Sequence, residues 1–115
     1  MSVKLSRTEI DALFLLIEED ETGNLREAIV TCEAKRGRDD ILENQILSQA
    51  KAPFRMRQVD QNVVVPVAVK CLAPSRIHLV EFNELDRESF EEVDSLVIAS
   101  DSVYEIRPPV PGICE

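Results

Sequence analysis

The chain has 115 residues and a mass of 13.0 kDa, which is enough for one domain and too little for two of ordinary size. Charged residues make up 30% and hydrophobic residues 44%, a balance that excludes an intrinsically disordered chain and predicts one domain over residues 1–115. The formal net charge of −9 excludes nonspecific nucleic-acid binding driven by bulk charge.

The chain begins with a predicted β-hairpin. Ile10 to Ile17 is rich in branched and aromatic residues and predicts a strand, and residues 27–35 alternate in character as a second strand would. The triplet Thr22-Gly23-Asn24 between them is a turn. If the loop has three residues, the residue numbers of each pair opposed across the two strands add up to 46; if it has two, they add up to 45. The sequence leaves both registers open.

A helix and an aliphatic strand follow the hairpin. Helical spacing of apolar residues predicts a helix over 39–51 that ends before Pro53. The run from Val63 to Cys71 is almost wholly aliphatic, as in a strand buried on both faces. Pro66 inside this run indicates either that one side lacks a hydrogen-bonded neighbour or that a bulge occurs there.

The last third of the chain predicts mainly strands. A turn at 73–76 leads into a strand from Ile77 to Phe82, and a short helix near 89–93 precedes a last strand over 96–106. This order of elements predicts an α/β fold in which a mixed sheet carries the helix across one face.

Three polar residues of the hairpin form a candidate catalytic group. Glu33 and Lys35 are two residues apart on a predicted strand, so their side chains leave the same face. In the register that sums to 46, Asp11 lies opposite Lys35 and diagonal to Glu33; in the other register it turns away. Two carboxylates and a lysine suit phosphodiester hydrolysis with Mg²⁺, a hard cation that one or two carboxylates usually hold.

The triplet Glu33-Ala34-Lys35 closing a strand, Asp11 one hairpin upstream, and a following helix with Gln45 resemble the PD-(D/E)xK, or restriction-endonuclease-like, nuclease superfamily over about residues 8–69. The resemblance implies a mixed sheet flanked by helices, and DNA cleavage with Mg²⁺, for which Mn²⁺ can substitute. It also implies that Asp11, Glu33 and the Ala34 carbonyl bind the metal. Lys35 would position the attacking water and stabilise the transition state, and Gln45 would lie beside the site.

Two positions differ from the pattern of this superfamily. Ile10 precedes Asp11 where the motif's name has Pro, and only ten residues precede Asp11, which leaves no room for the first core helix. We therefore expect an excised core of a larger enzyme, a missing layer supplied by another protein domain or by a second copy in a homo-oligomer, or a domain that has lost activity.

Charge is distributed unevenly along the chain. Residues 35–57 carry a net +3, and residues 81–105 a net −8. The basic residues around the predicted helix are candidates for binding the DNA backbone: Arg36, Arg38, Lys51, Arg55 and Arg57. The acidic segment favours a rival function, a non-catalytic assembly or regulatory domain that binds a protein partner.

Compartment and membrane association are also constrained by the sequence. The longest apolar run, Ala12 to Ile17, is far below the roughly 20 residues of a membrane-spanning helix, and no signal pattern precedes it. Three dispersed cysteines and one histidine exclude a Cys/His zinc centre. An odd number of thiols fits a reducing compartment better than a disulfide framework, so we expect a cytoplasmic protein.

Overall fold

Runs of branched and aliphatic residues build a six-stranded mixed sheet in the computed structural model, which describes residues 12–36, 43–73, 75–105 and 107. Its strands are β1 (Ala12–Glu19), β2 (Leu25–Arg36), β3 (Val63–Ala73), β4 (Arg76–Phe82), β5 (Leu85–Asp86) and β6 (Ile98–Glu105). Within these residues one α-helix, α1 (Glu43–Lys51), flanks the sheet, and 3₁₀ turns occur at Ala52–Arg55 and Phe90–Glu92. The predicted fold class, a mixed sheet with a flanking helix, is confirmed.

Strands β1 and β2 form the predicted antiparallel hairpin, but in a different register. Ala12 pairs with Cys32 and Glu19 with Leu25, so the numbers of opposed residues sum to 44. The expected sums of 46 and 45 are therefore both wrong. The reason is a loop of residues 20–24, two residues longer than the predicted triplet.

Asp20 organises this longer loop. Its carboxylate accepts hydrogen bonds from the Thr22 hydroxyl at 2.7 Å and from the backbone N–H groups of Thr22 and Asn24, each at 2.9 Å. These donors, the Thr22 hydroxyl first, hold the pKa of Asp20 below its usual value because they stabilise the charged form. Gly23 completes the turn with a φ of 87°, a backbone conformation that glycine adopts without steric cost.

The next connection is a parallel crossover in which α1 links β2 to β3. Ile29 lies in register with Val64. Neighbours in register share a face, so odd-numbered residues of β2 and even-numbered residues of β3 face the helix. The helix buries Ile46, Gln49 and Ala50 on this side. Two apolar clusters result, one of Ile29, Ala50, Phe54, Val64, Leu85 and Phe90, and one of Ile46, Ala68 and Val80.

Strand β3 is central in the sheet, and Pro66 marks a change of its neighbour. On one side β3 pairs with β2 along its length. On the other side β5 pairs only with residues 63–64, and β4 pairs only from Val67 onward. Pro66, which has no backbone N–H to donate, lies in the gap between the two partners. Of the two sequence interpretations, the missing neighbour is confirmed.

Other boundaries agree with the predicted elements within two residues, where the structure describes them. The predicted helix over 39–51 corresponds to α1, of which residues 39–42 lie outside the described ranges. The expected short helix near 89–93 is the 3₁₀ turn Phe90–Glu92, and the last strand is β6. The two-residue strand β5 was missed because it is too short to show a period.

The sheet face opposite α1 is apolar; it buries a cluster of Ala28, Val63 and Val65 and is exposed along β1. Phe14 is 56% exposed and Leu16 38%. An open cavity of about 630 Å³ lies on this face, where Arg26 pairs with Glu18 at 2.9 Å and with Glu84 at 3.0 Å. Cys32 is half-buried and Ala34 is exposed on this side.

Cys71 differs from the sequence expectation. It is disulfide-bonded, with its partner outside the described residues, so the odd number of cysteines does not exclude a disulfide. As for membranes, none of the helices in the described ranges has the length and apolar character needed to cross one.

Candidate active site

Glu33 is a buried carboxylate beneath α1. As an odd-numbered residue of β2 it faces the helix, and only 2% of its surface is exposed. The Lys35 ammonium lies 3.1 Å from Oε1 of Glu33, and the Gln49 side-chain amide of α1 donates a hydrogen bond to Oε2. The sequence correctly placed Glu33 and Lys35 on one face. That face is the helix-covered one, so the carboxylate is buried rather than part of a solvated surface.

The partners of Glu33 explain how a charge is tolerated there. Removing a carboxylate from water costs several kcal/mol unless hydrogen bonds and an opposite charge compensate it. Lys35 supplies the charge, and its side chain is 26% exposed, so the ammonium connects the buried carboxylate with solvent. Each carboxylate oxygen has a second lone pair beyond the one that Lys35 or Gln49 engages. Glu33 therefore retains coordinating capacity.

The glutamine at this site is Gln49 and not Gln45. Gln45, which the resemblance places beside the site, is exposed, whereas Gln49 contacts Glu33. The helix buries Ile46 and Ala50 on either side of Gln49, so the centre of its packed face lies at Gln49. Counting Ala50 as a core residue is the sequence signal that would have identified Gln49.

Two glutamines one helical turn apart provide a matched test of this assignment. Gln49→Leu leaves Oε2 of Glu33 without its buried donor, so we expect the free energy of unfolding to fall by about 1–3 kcal/mol. Gln45→Leu makes the same chemical change on an exposed position, where about 0.5 kcal/mol or less is expected. Urea denaturation of both variants measures the difference. Equal losses would contradict the contact between Gln49 and Glu33.

Further charges continue on the same sheet face next to Glu33. Lys35 is in register with Lys70 of β3, and Lys70 with His78 of β4. The imidazole Nε2 of His78 is hydrogen-bonded to Oδ1 of Asp101 on β6. Sequence reasoning missed this arrangement because it depends on the register of three strand pairs. The lysine that interrupts the aliphatic run of β3 was the available signal.

The predicted DNA-binding residues lie around α1 where the structure describes them. Lys51 is half-buried in the last turn of the helix, and Arg57 is exposed shortly after it. The guanidinium carbon of Arg55 lies 5.5 Å from the centre of the Phe90 ring, which gives it a packing role. The side chain of Arg36 and the whole of Arg38 lie outside what the structure describes.

The predicted metal ligands are only partly within the described ranges. Asp11 lies outside them, and Ala34 is exposed between Glu33 and Lys35. In the part of the chain that the structure describes, no three His, Cys, Asp or Glu side chains group as a metal site would require. Thr31, also on the helix-facing side of β2, is 1% exposed, and its hydroxyl has no hydrogen-bond partner within that part.

In comparisons with known proteins, no family model, curated protein or solved structure matches this chain. The resemblance to the nuclease superfamily thus depends on the quoted residues alone.

Proposed function

We propose that this chain is a nuclease domain that hydrolyses DNA phosphodiesters with Mg²⁺. The observation that carries the proposal is the Glu33 carboxylate, buried at 2% exposure with the Lys35 ammonium 3.1 Å away. A protein interior rarely holds a carboxylate unless it is paired or functional. Of this pair, Lys35 is the member that reaches solvent, with 26% of its side chain exposed.

The donor set near Glu33 fits a hard cation when Asp11 is included. Mg²⁺ is usually bound through one or two carboxylates together with water and substrate phosphate. Glu33 offers one lone pair on each oxygen, and Asp11 and the Ala34 carbonyl are the further ligands that we propose. When bound, the ion would lower the pKa of a bound water and shield the phosphate charge.

The residues of the chain have separate roles in this proposal. Lys35 supplies a fixed positive charge for a phosphoryl oxygen, and Glu33 holds that ammonium at the sheet face. Gln49 fixes the orientation of the carboxylate through its hydrogen bond, so it is a positioning residue. The DNA backbone would pass along α1 near Lys51 and Arg57.

A second candidate function is a non-catalytic assembly domain that binds a protein partner. The observation that favours it is the apolar sheet face opposite α1, with Phe14 and Leu16 exposed. Exposed apolar surface of this kind typically marks a protein interaction site. In this alternative Glu33, Lys35 and Gln49 would be a buried polar contact without catalytic use.

Calorimetric titration with Mg²⁺ and Mn²⁺ separates the two candidates. For the nuclease, we expect binding by the parent chain and its loss in both Glu33→Ala and Asp11→Ala. Glu81→Ala is the control, because Glu81 is an exposed carboxylate that lines the cavity on the opposite face. Absence of binding in the parent chain would favour the assembly domain, as would loss in the control alone.

A further inference from the structure

A row of three basic side chains crosses the sheet beside Glu33. Lys35, Lys70 and His78 occupy neighbouring strands, in register and on one face. With strands about 4.8 Å apart, the Cα positions of the outer two are separated by about 10 Å. A ligand that lies along this row can therefore contact all three side chains.

Among the described residues, only two of the three side chains in this row have a carboxylate partner. Lys35 is paired with Glu33, and His78 with Asp101. The ammonium group of Lys70, between them, makes no hydrogen bond or ion pair within the described ranges. Like charges opposite one another on adjacent strands destabilise a sheet. Two lysines side by side, of which only one has a carboxylate, therefore favour binding of an anion.

The row also lies beyond the region that α1 covers. The helix packs on the neighbouring row, where Ile46 contacts the cluster with Ala68 and Val80. One step further along the strands, Lys70 is half-buried and the His78 side chain is 30% exposed. In the part of the chain that the structure describes, both side chains therefore reach solvent.

We propose that Lys70, flanked by Lys35 and His78, binds a backbone phosphate of nucleic acid next to the phosphate at Glu33. Ammonium groups form strong charge-assisted hydrogen bonds with phosphate oxygens. Asp101 is a positioning residue, because its carboxylate fixes the His78 ring through Nε2. The assignment rests on the proposed nuclease function for the identity of the ligand, since inorganic phosphate presents the same chemistry.

The single histidine of the chain makes a direct measurement possible. The imidazole proton signals in a ¹H NMR spectrum belong to His78 alone. We expect them to shift and saturate when a short DNA duplex is added in EDTA, where cleavage does not intervene. Signals that stay unmoved while the duplex binds would overturn the proposal.

Substitutions of Lys70 test the central contact. For Lys70→Gln we expect duplex affinity to fall on the order of tenfold, because a charge-assisted contact is lost. The slope of log K against log salt should fall by about 0.9. Lys70→Arg keeps the charge and should retain affinity within about twofold. Arg26→Gln is the matched control, since it removes one positive charge from the opposite face.

The outcomes separate this inference from the nuclease proposal. If Lys70→Gln binds and nicks DNA as Arg26→Gln does, the Lys70 site is refuted while the nuclease stands. If the parent chain binds DNA through Lys70 but nicks no plasmid, the nuclease fails and the phosphate site stands. A Lys70-dependent response to inorganic phosphate, without any Lys70 effect on duplex affinity, would overturn the nucleic-acid assignment in favour of a free phosphate ligand.

Discussion

Replacing Glu33 with glutamine is expected to abolish nicking of supercoiled DNA in the presence of Mg²⁺, while the chain stays folded. Glutamine has the shape of glutamate; its one side-chain oxygen can accept from Lys35, and its NH2 group can donate to the side-chain oxygen of Gln49 once that amide turns over. It lacks the charge that a divalent cation requires. Losing several kcal/mol of transition-state stabilisation corresponds to a rate reduction of at least about 10³-fold.

The stability of this variant should not fall in parallel with its activity. Glu33→Gln removes the charge that is buried and leaves Lys35, whose side chain is 26% exposed, so water can solvate the remaining ammonium. Plasmid nicking and urea denaturation should be measured on Glu33→Gln and on the control Glu81→Gln, which alters an exposed carboxylate on the other face. Nicking at the parental rate by Glu33→Gln would remove the basis for the catalytic assignment.

Lys35→Met is the companion variant for the charge itself. Methionine keeps the length of the side chain but leaves Glu33 as a buried carboxylate with only Gln49 as donor. Loss of nicking is expected here too. The free energy of unfolding should also fall, because breaking the pair leaves the Glu33 charge buried and uncompensated. Glu33→Gln and Lys35→Met should thus agree in activity and differ in stability.

The largest effect on stability is expected from Phe54→Ala. Phe54 follows α1 in the 3₁₀ turn and stacks on Phe90, with ring centres 4.6 Å apart and an interplanar angle of 28°. The Arg87 guanidinium lies 5.2 Å from the Phe54 ring and donates hydrogen bonds to the carbonyls of Phe54, Val59 and Gln61. Truncation opens a cavity in this cluster and should cost about 3–5 kcal/mol.

Phe14→Ala is the matched control for this substitution. Phe14 is 56% exposed on β1, so the same truncation there should cost about 1 kcal/mol or less. If Phe54→Ala fails to fold, Phe54→Leu keeps a measurable state, with an expected loss of about 1–2 kcal/mol. Chemical denaturation gives all three values. Equal losses at positions 14 and 54 would contradict the described core.

Much of the fold was predictable where one strong local signal decided the element. The aliphatic run of β3 predicted a strand buried on both faces, and Pro66 within it predicted either a missing neighbour or a bulge; the gap between β5 and β4 is the missing neighbour. The same sequence placed Glu33 and Lys35 on one face, because alternation along a strand is a geometric necessity. These features need no knowledge of distant residues.

What could not be predicted depends on contacts between segments. Lys70 and His78 become neighbours only through the pairing of β3 with β4. Gln49 was passed over in favour of Gln45 because a difference of one helical turn is decided by how α1 lies on the sheet. Within the described ranges, the strands and the shared face of Glu33 and Lys35 were predictable from the sequence. The residues that contact or neighbour this pair were found only in the structure.

The loop around Asp20 has a consequence for the distant Glu33 site. Strand β1 is apolar on both sides, with Leu13, Phe14 and Leu15 all exposed, so hydrophobic burial scarcely distinguishes one register from its neighbour. The length of the loop then decides which β1 side chains face α1. Deleting one loop residue would exchange the two sets, whereas deleting two would preserve them. Whether the number of loop residues is odd or even thus determines which β1 side chains lie on the same sheet face as Glu33.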